Sequence, residues 1–209
     1  AVKFTDYREM LSQFGDKIDV LNVSTADHSH APAAMLAMRK GIHVYVQKPL
    51  THTVWEARQL AKYARENKIC TQMGNQGTAS NGLREGAEYV RAGGLGKVKE
   101  IHAWTNRPVW PQAPGITARP SEKQDAPSHL DWDSFIGPAP MRPYHSAYTP
   151  FKWRGWLDFG TGALGDMACH TTNLAFMACQ LTQPSSVESV NTGPINDETF
   201  PSWASVNLQ

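Results

Sequence analysis

The sequence lacks a long apolar run, a charge excess of either sign and any close pair of cysteines. Its 209 residues carry 20 Lys and Arg against 19 Asp and Glu, and a net charge of +1 argues against nucleic-acid binding. Because no apolar stretch approaches a membrane span and no signal-peptide pattern opens the chain, we expect no membrane partner. The three cysteines have no CxxC spacing and cannot all pair, which disfavours a disulfide scaffold or a structural zinc site. What remains is the composition of an ordinary globular protein.

Helix-like and strand-like segments alternate over residues 5–73. The patterns predict a helix over residues 6–14 and a second helix that follows residues 27–30 and ends at Gly41. They predict strands over residues 18–23, within residues 41–50 and over residues 69–73. Thr53 and Glu56 have capping-box spacing at the start of a further helix. Such alternation is typical of βαβ units, so the sequence predicts an α/β protein with part of a doubly wound parallel sheet.

The pattern changes after Gly77. We predict a helix over residues 82–92, a strand over 98–105, a helix over 163–181, and strands over 187–191 and 203–208. Residues 107–151 hold most of the prolines and are expected to form a long irregular loop. Three strand-helix steps are too few for a complete doubly wound domain, and the chain ends inside a strand-like segment. We therefore expect these residues to be part of a longer protein.

Lys48 is the clearest candidate for chemistry. It follows a buried-type strand, and the carboxyl ends of strands in open α/β sheets are where ligands bind. Pro49 restricts the backbone of the residue before it, which fixes the direction of the Lys48 side chain. The alternative is a solvated charge at a strand end.

A second candidate is a polar stripe on the helix over residues 163–181. Asp166, His170 and Asn173 recur there at helical spacing. A carboxylate one turn from an imidazole favours the charged histidine and can orient its ring for general-base work. The alternative is that Asp166 complements the helix dipole and that His170 is a satisfied core residue.

Two other motifs carry weaker predictions. Residues 160–165 spell G-x-G-x-x-G, but no buried strand precedes them, so we favour glycines that permit close backbone packing over a phosphate site. His28 and His30 form an H-x-H pattern, which with His170 would suit a metal-dependent hydrolase. Asp27 or Ser29 acting as a helix N-cap explains the same segment without a metal.

Several of these motifs resemble those of the Gfo/Idh/MocA oxidoreductases, named for glucose-fructose oxidoreductase, inositol dehydrogenase and a rhizopine-catabolism protein. Residues 23–31 resemble the family's V-x-T-P-x-x-x-H loop, and residues 47–49 resemble its E-K-P motif. Residues 94–98 resemble its G-x-L-G-x-V entry to the second domain, and residues 166–170 its D-x-x-x-H pair. The tryptophan-rich loop is most similar to a subgroup that acts on sugars and often carries export signals.

The resemblance implies a fold and two domains. Residues 1–77 would be the C-terminal part of a Rossmann-type dinucleotide-binding domain. Residues 78–209 would form an α+β substrate and oligomerisation domain with a large, open, mostly antiparallel sheet. Expected partners are a carbohydrate-like substrate and further copies of the chain, as a dimer or tetramer. The compartment stays open, cytoplasmic or, if an export signal precedes these residues, periplasmic.

The resemblance also implies a nicotinamide cofactor, NAD or NADP, and a set of site residues. The expected cofactor-binding residues are Ser24, Thr25, His28, His30, Gln47, Lys48 and Gln76. The expected substrate-binding residues are Lys48, Trp104, Arg154, Asp166, His170 and Asn173. No metal is expected. Trp110 and Trp153 are further candidates for a flat apolar surface beneath a sugar ring.

The chain departs from the family pattern at three positions. Gln47 replaces a glutamate that helps to hold the nicotinamide ribose, and an amide can hydrogen-bond a hydroxyl without supplying charge. Ala26 replaces the loop proline. Asn173 stands where a second aspartate often contacts substrate, so a preference for polyols does not carry over.

The resulting hypothesis is hydride transfer from a secondary alcohol of a sugar. His170 would remove the hydroxyl proton, Asp166 would stabilise the imidazolium, and Lys48 would stabilise developing alkoxide charge. Glycoside cleavage with a tightly bound, internally cycling NAD is an alternative within the same family.

Overall fold

The computed structural model describes residues 1–108 and 117–209, and its first part is a three-stranded parallel sheet covered by helices. Strands β1, β2 and β3 lie side by side in that order, with Val23 opposite Val46 and Gln47 opposite Gly74 at the carboxyl end. The elements in chain order are α1 (Tyr7–Phe14), β1 (Val20–Val23), α2 (His30–Arg39), β2 (His43–Gln47), α3 (Val54–Asn67) and β3 (Thr71–Gly74). The predicted α/β class is confirmed.

Local sequence explains these elements well. In β2 the residues alternate between buried Val44 and Val46 and half-buried neighbours, as expected of a strand in a layered fold. Helix α2 buries an alanine-rich face against the sheet, and the chain leaves it through Gly41 at a positive φ of 80°. The predicted capping box at α3 is confirmed, since Glu56 N donates to Thr53 Oγ1 at 3.2 Å and Thr53 N donates to Glu56 Oε2 at 2.8 Å.

The second part combines helices with an antiparallel strand pair. Its core is aromatic, and Trp156 is fully buried with its Nε1 donating to Ala147 O at 2.9 Å. Buried Arg142 pairs with Asp158 and with Glu198. The elements are α4 (Asn81–Arg91), α5 (Trp132–Ile136), α6 (Gly162–Thr171), α7 (Asn173–Cys179), β4 (Val187–Thr192) and β5 (Ala204–Leu208).

Two predicted elements differ from the structure. Residues 98–105 form no strand, because alternation alone does not make one and no described segment pairs with them. The helix expected over residues 163–181 is two helices, α6 and α7, which meet at Thr172. The hydroxyl of Thr172 donates back to Ala168 O at 2.7 Å, a contact that often bends helices.

Among the described residues, no helix combines the length and the apolarity needed to span a bilayer.

Candidate active site

The centre of the candidate site is the contact between Lys48 and Asp166. Lys48 follows β2 at the carboxyl edge of the parallel sheet, while Asp166 lies in the second turn of α6, far away in sequence. Lys48 Nζ donates to the Asp166 carboxylate Oδ1 and, at 2.9 Å, to the Asp166 backbone carbonyl. Both side chains are largely buried, with exposed fractions of 17% and 7%. The two halves of the chain are therefore joined by a charged contact at the sheet edge.

Arg154 forms the other side of this cluster. Its Nε lies 3.7 Å from Asp166 Oδ1, so one carboxylate serves two cations. The guanidinium carbon is 4.1 Å from the centroid of the Trp153 ring and 5.1 Å from that of Phe151. Stacking of this kind holds the plane of the guanidinium in one orientation.

His170 lies one helical turn beyond Asp166 on α6. Burial lowers the pKa of His170 below its ordinary value, and the charge of Lys48 lowers it further, while Asp166 acts in the opposite direction. The predicted effect of the carboxylate is confirmed, since Asp166 raises the pKa of His170, but burial outweighs it. A histidine held neutral near pH 7 is able to accept a proton.

The segment between β1 and α2 contacts the loop that precedes α6. Asp27 is buried and accepts a hydrogen bond from Thr161 Oγ1 at 2.7 Å. Burial raises the pKa of Asp27, an effect partly offset by that hydrogen bond. Ser29 stands at the N-cap position of α2, as the sequence allowed, but neither its side chain nor that of Asp27 makes a capping hydrogen bond. The Asp27 carboxyl instead serves a contact with the loop before α6.

His28 and His30 lie in the protein interior. His28 Nδ1 is 3.2 Å from Phe159 O and its Nε2 is 2.9 Å from Phe135 O, while burial lowers the pKa of His28. His30 Nδ1 is 2.8 Å from Pro49 O and its Nε2 is 3.0 Å from Thr25 O. All four ring nitrogens therefore lie against backbone carbonyls. This arrangement favours a role in tying loops together over direct contact with a ligand.

The same contacts disfavour the metal-dependent hydrolase. A metal ligand must present an unoccupied nitrogen lone pair, whereas the rings of His28 and His30 are already engaged. Within residues 1–108 and 117–209, no group of three or more His, Cys, Asp or Glu side chains is arranged to hold a metal ion.

The remaining predicted cofactor residues lie near the carboxyl edge of the sheet. Ser24 and Thr25 are exposed directly after β1, and Gln76 Nε2 donates to Gln47 Oε1 at 3.4 Å. Gly74 leaves room for Gln47, because a Cβ at Gly74 would lie 2.8 Å from Gln47 Nε2. Hydroxyl and amide groups at this edge are suited to the ribose and carboxamide of a nicotinamide cofactor.

The G-x-G-x-x-G stretch is a packing motif. A Cβ at Gly160 would lie 2.4 Å from the carbonyl oxygen of Arg154, and one at Gly165 would lie 2.3 Å from Thr161 Cβ. Gly162 has a positive φ of 63° and its missing side chain leaves space for Phe200. The close-packing interpretation of these glycines is thus supported. The residues at the sheet edge fit the nicotinamide end of a dinucleotide.

The other predicted substrate residues are more scattered. Asn173 Nδ2 donates to Thr78 Oγ1, across the contact between α7 and the turn before α4. Trp104 is 81% exposed, on the segment that forms no strand, whereas Trp153 is buried beneath Arg154. Trp110 lies outside the described residues.

Two cavities lie against α6, and Asp166 lines the first of them. The first has a volume of about 360 Å³ and is bounded by Arg154, Asp166, the start of α6 and residues 194–196 and 199–202 between β4 and β5. The second, of about 310 Å³, is bounded by β3, Asn75, Cys169 and Asn173. Asn75 Nδ2 donates to Cys169 O at 2.6 Å. Sequence reasoning missed the β4–β5 connection as a cavity wall, because nothing in its residues places it beside α6.

Comparison with known proteins gives this arrangement a class. Residues 1–75 match a family model described as the NAD-binding Rossmann fold of the Gfo/Idh/MocA oxidoreductases, and residues 110–209 match the C-terminal alpha/beta domain of the same family. Both parts of the described fold thus fall in one class of oxidoreductases. The chain belongs to the Gfo/Idh/MocA oxidoreductase family.

Individual relatives match parts of the chain. A glycosyl hydrolase family 109 protein of Shewanella sp. (strain ANA-3) is 43% identical over 70 residues, 33% of this chain and 15% of the relative. Levoglucosan dehydrogenase of Pseudarthrobacter phenanthrenivorans is 22% identical over 172 residues, 82% of this chain and 35% of the relative. A structure of levoglucosan dehydrogenase with NADH and levoglucosan superposes with a TM-score of 0.59 at 19% identity, over 90% of this chain and 40% of that one. That last likeness concerns the fold, and the chain spans well under half of each of these proteins.

Proposed function

We propose that the protein containing this chain is a nicotinamide-dependent dehydrogenase that oxidises a secondary alcohol of a sugar or sugar-like substrate. The observation that carries the proposal is the junction of Lys48 and Asp166 beside His170, at the carboxyl edge of a parallel sheet. The match to an NAD-binding family model supports the cofactor, and the dehydrogenase relative supports the substrate class.

In this proposal His170 is the general base. Because burial and Lys48 hold its pKa low, the ring is neutral near pH 7 and its unprotonated nitrogen takes the proton of the substrate hydroxyl. A nicotinamide bound at the sheet edge would supply the acceptor for the hydride that leaves the same carbon. The O–H and C–H bonds both break, the carbon becomes a ketone, and no further reactant is required.

Lys48 stabilises the oxygen that loses its proton. Two of the three N–H groups on Nζ donate to Asp166 among the described residues. The third is then available to donate to the substrate oxygen. Asp166 acts mainly by holding Lys48 and Arg154 in position. Because Asp166 neither accepts nor donates a proton in this scheme, it is a positioning residue.

We further propose that residues 1–77 belong to the cofactor domain and residues 78–209 to the substrate and oligomerisation domain. The extents of the two family matches support this division. Exposed apolar side chains on β4 and β5, Val187, Val190 and Leu208, support assembly through that sheet.

The proposal is tested by measuring reduced nicotinamide formed by the intact protein with NAD⁺ or NADP⁺ and a panel of sugars. We expect His170→Ala to lower kcat by roughly two to four orders of magnitude with little effect on cofactor affinity. Equal turnover by the variant and the wild type, with a substrate that the wild type oxidises, would reject the assignment of the base.

Glycoside cleavage is a second candidate, favoured by the local identity to a glycosyl hydrolase family 109 protein. This reaction would use the same residues, but the hydride would return to the sugar before the product leaves. Release of an aglycone from an aryl glycoside, without net formation of reduced nicotinamide, would favour this candidate over the dehydrogenase.

A further inference from the structure

The first cavity carries more information about the substrate than the catalytic residues do. Three of its features point towards negative charge on the ligand: an oriented guanidinium, an uncapped helix start, and a carboxylate that is already engaged by cations.

The guanidinium of Arg154 is held in one orientation by its neighbours. Its Nε faces Asp166, and its plane is stacked on Trp153 and Phe151. In the part of the chain that the structure describes, the Arg154 side chain makes no hydrogen bond, and Arg154 lines the cavity. An arginine fixed in this way suits bidentate binding of a carboxylate or phosphate.

The start of α6 supplies backbone donors to the same cavity. Gly162 and Ala163, the first two residues of this ten-residue helix, line the cavity wall. Thr161 stands at the N-cap position but does not cap the helix, because its hydroxyl donates to Asp27. The first-turn N–H groups thus lack a side-chain acceptor, and such a helix end attracts anions.

The neighbouring charges leave room for an anion. Asp166 lines the cavity, but its carboxylate is already engaged by Arg154 and by Lys48, which lies outside the cavity wall. Asp27 adds a carboxyl behind Thr161, outside the cavity wall. Glu198, next to the wall, is paired with Arg119 at 2.8 Å and Arg142 at 3.4 Å.

We propose that this cavity binds the anionic group of the substrate, so that the preferred substrate is a sugar derivative bearing a carboxylate or phosphate. The inference rests on the proposed dehydrogenase function and specifies its substrate. A volume of about 360 Å³ accommodates a single sugar unit. Asp166 lines the cavity one helical turn before His170, so the proposal requires a sugar anchored at Arg154 to reach along α6 to the base.

The test compares three probes, glucuronate, glucose 6-phosphate and glucose, by calorimetric titration of the intact protein with and without NAD⁺. We expect glucuronate or glucose 6-phosphate to bind at least about 10-fold more tightly than glucose, and the stronger of the two identifies the anion. Arg154→Met should remove roughly 10- to 100-fold of that preference, as expected for charged hydrogen bonds. Arg154→Lys should retain part of it, since charge remains without the fork.

Arg8→Met is the matched control, because it removes the same charge from an exposed pair with Asp6. It should leave the anion preference unchanged. The ratio between charged and neutral probes is the readout, since partial unfolding lowers binding of all probes together. Equal binding of glucose, a preference that survives in Arg154→Met, or no binding of any probe would overturn the inference.

Hydride transfer is measured separately from binding. Anion-selective binding without oxidation of any sugar would leave the anion site standing and reject the dehydrogenase. Oxidation of neutral sugars in preference to the charged ones would reject the anion site and retain the dehydrogenase.

Discussion

Replacement of Asp166 by asparagine tests the contact that joins the two halves of the site. The change keeps the size of the side chain but removes the charge that holds Lys48 and Arg154. Removing one partner of a buried ion pair costs about 3–5 kcal/mol. Because Lys48 and Arg154 keep exposed fractions of 17% and 23%, we expect the lower end, about 3 kcal/mol.

This cost should be visible in thermal unfolding followed by circular dichroism. For a chain of this size, about 3 kcal/mol corresponds to a fall in Tm of roughly 6–12 °C. The pKa of His170 should also fall further, because the Asp166 charge opposes the lowering caused by burial. An NMR titration of the histidine would report that shift.

Asp6→Asn is the matched control for Asp166→Asn. Asp6 makes an exposed pair with Arg8 and caps α1, and asparagine caps a helix equally well. Its Tm should change far less. An unchanged Tm in Asp166→Asn, or a loss no larger than that of the control, would refute the view that the Lys48–Asp166 contact stabilises the site.

Three further predictions concern other parts of the chain. Gly160→Ala should cost about 1–3 kcal/mol in unfolding experiments, because its Cβ meets the Arg154 backbone, while Gly82→Ala, with nothing within 4 Å, should not destabilise. Thr53→Ala should cost about 1 kcal/mol through loss of the capping box, measured by the same melts, and a Tm equal to wild type would contradict it. Burial lowers the pKa of His28, so this residue should contribute stability that is present above about pH 6.5 and lost as the pH falls through the folded pKa. In denaturant titrations, His28→Gln should reduce this loss of stability in acid, and an unchanged loss would contradict the prediction.

Local rules predicted the first part of the fold well. The capping box at Thr53, the alternation in β2 and the glycine after α2 are each decided by neighbouring residues, and each occurs where the pattern placed it. The strand over residues 98–105 failed because a strand needs a partner, and pairing is not a local property.

The candidate site was only partly predictable for the same reason. Lys48 and Asp166 were each identified from sequence, but their mutual contact, which gives Asp166 two cationic partners, spans more than a hundred residues. The burial that lowers the pKa of His170 could not be read from helical spacing, which showed only the opposing effect of Asp166. Thr161, which ties Asp27 and leaves α6 uncapped, carries no motif that would mark it.

The most direct test of the account follows a deuterium label. The protein is given its best sugar substrate with deuterium on the carbon that is oxidised, and the reduced nicotinamide is analysed by mass spectrometry. The account predicts that the label is recovered in the reduced nicotinamide, and that His170→Ala slows its transfer by roughly two to four orders of magnitude. Label appearing in water, or transfer at the wild-type rate in His170→Ala, would contradict it.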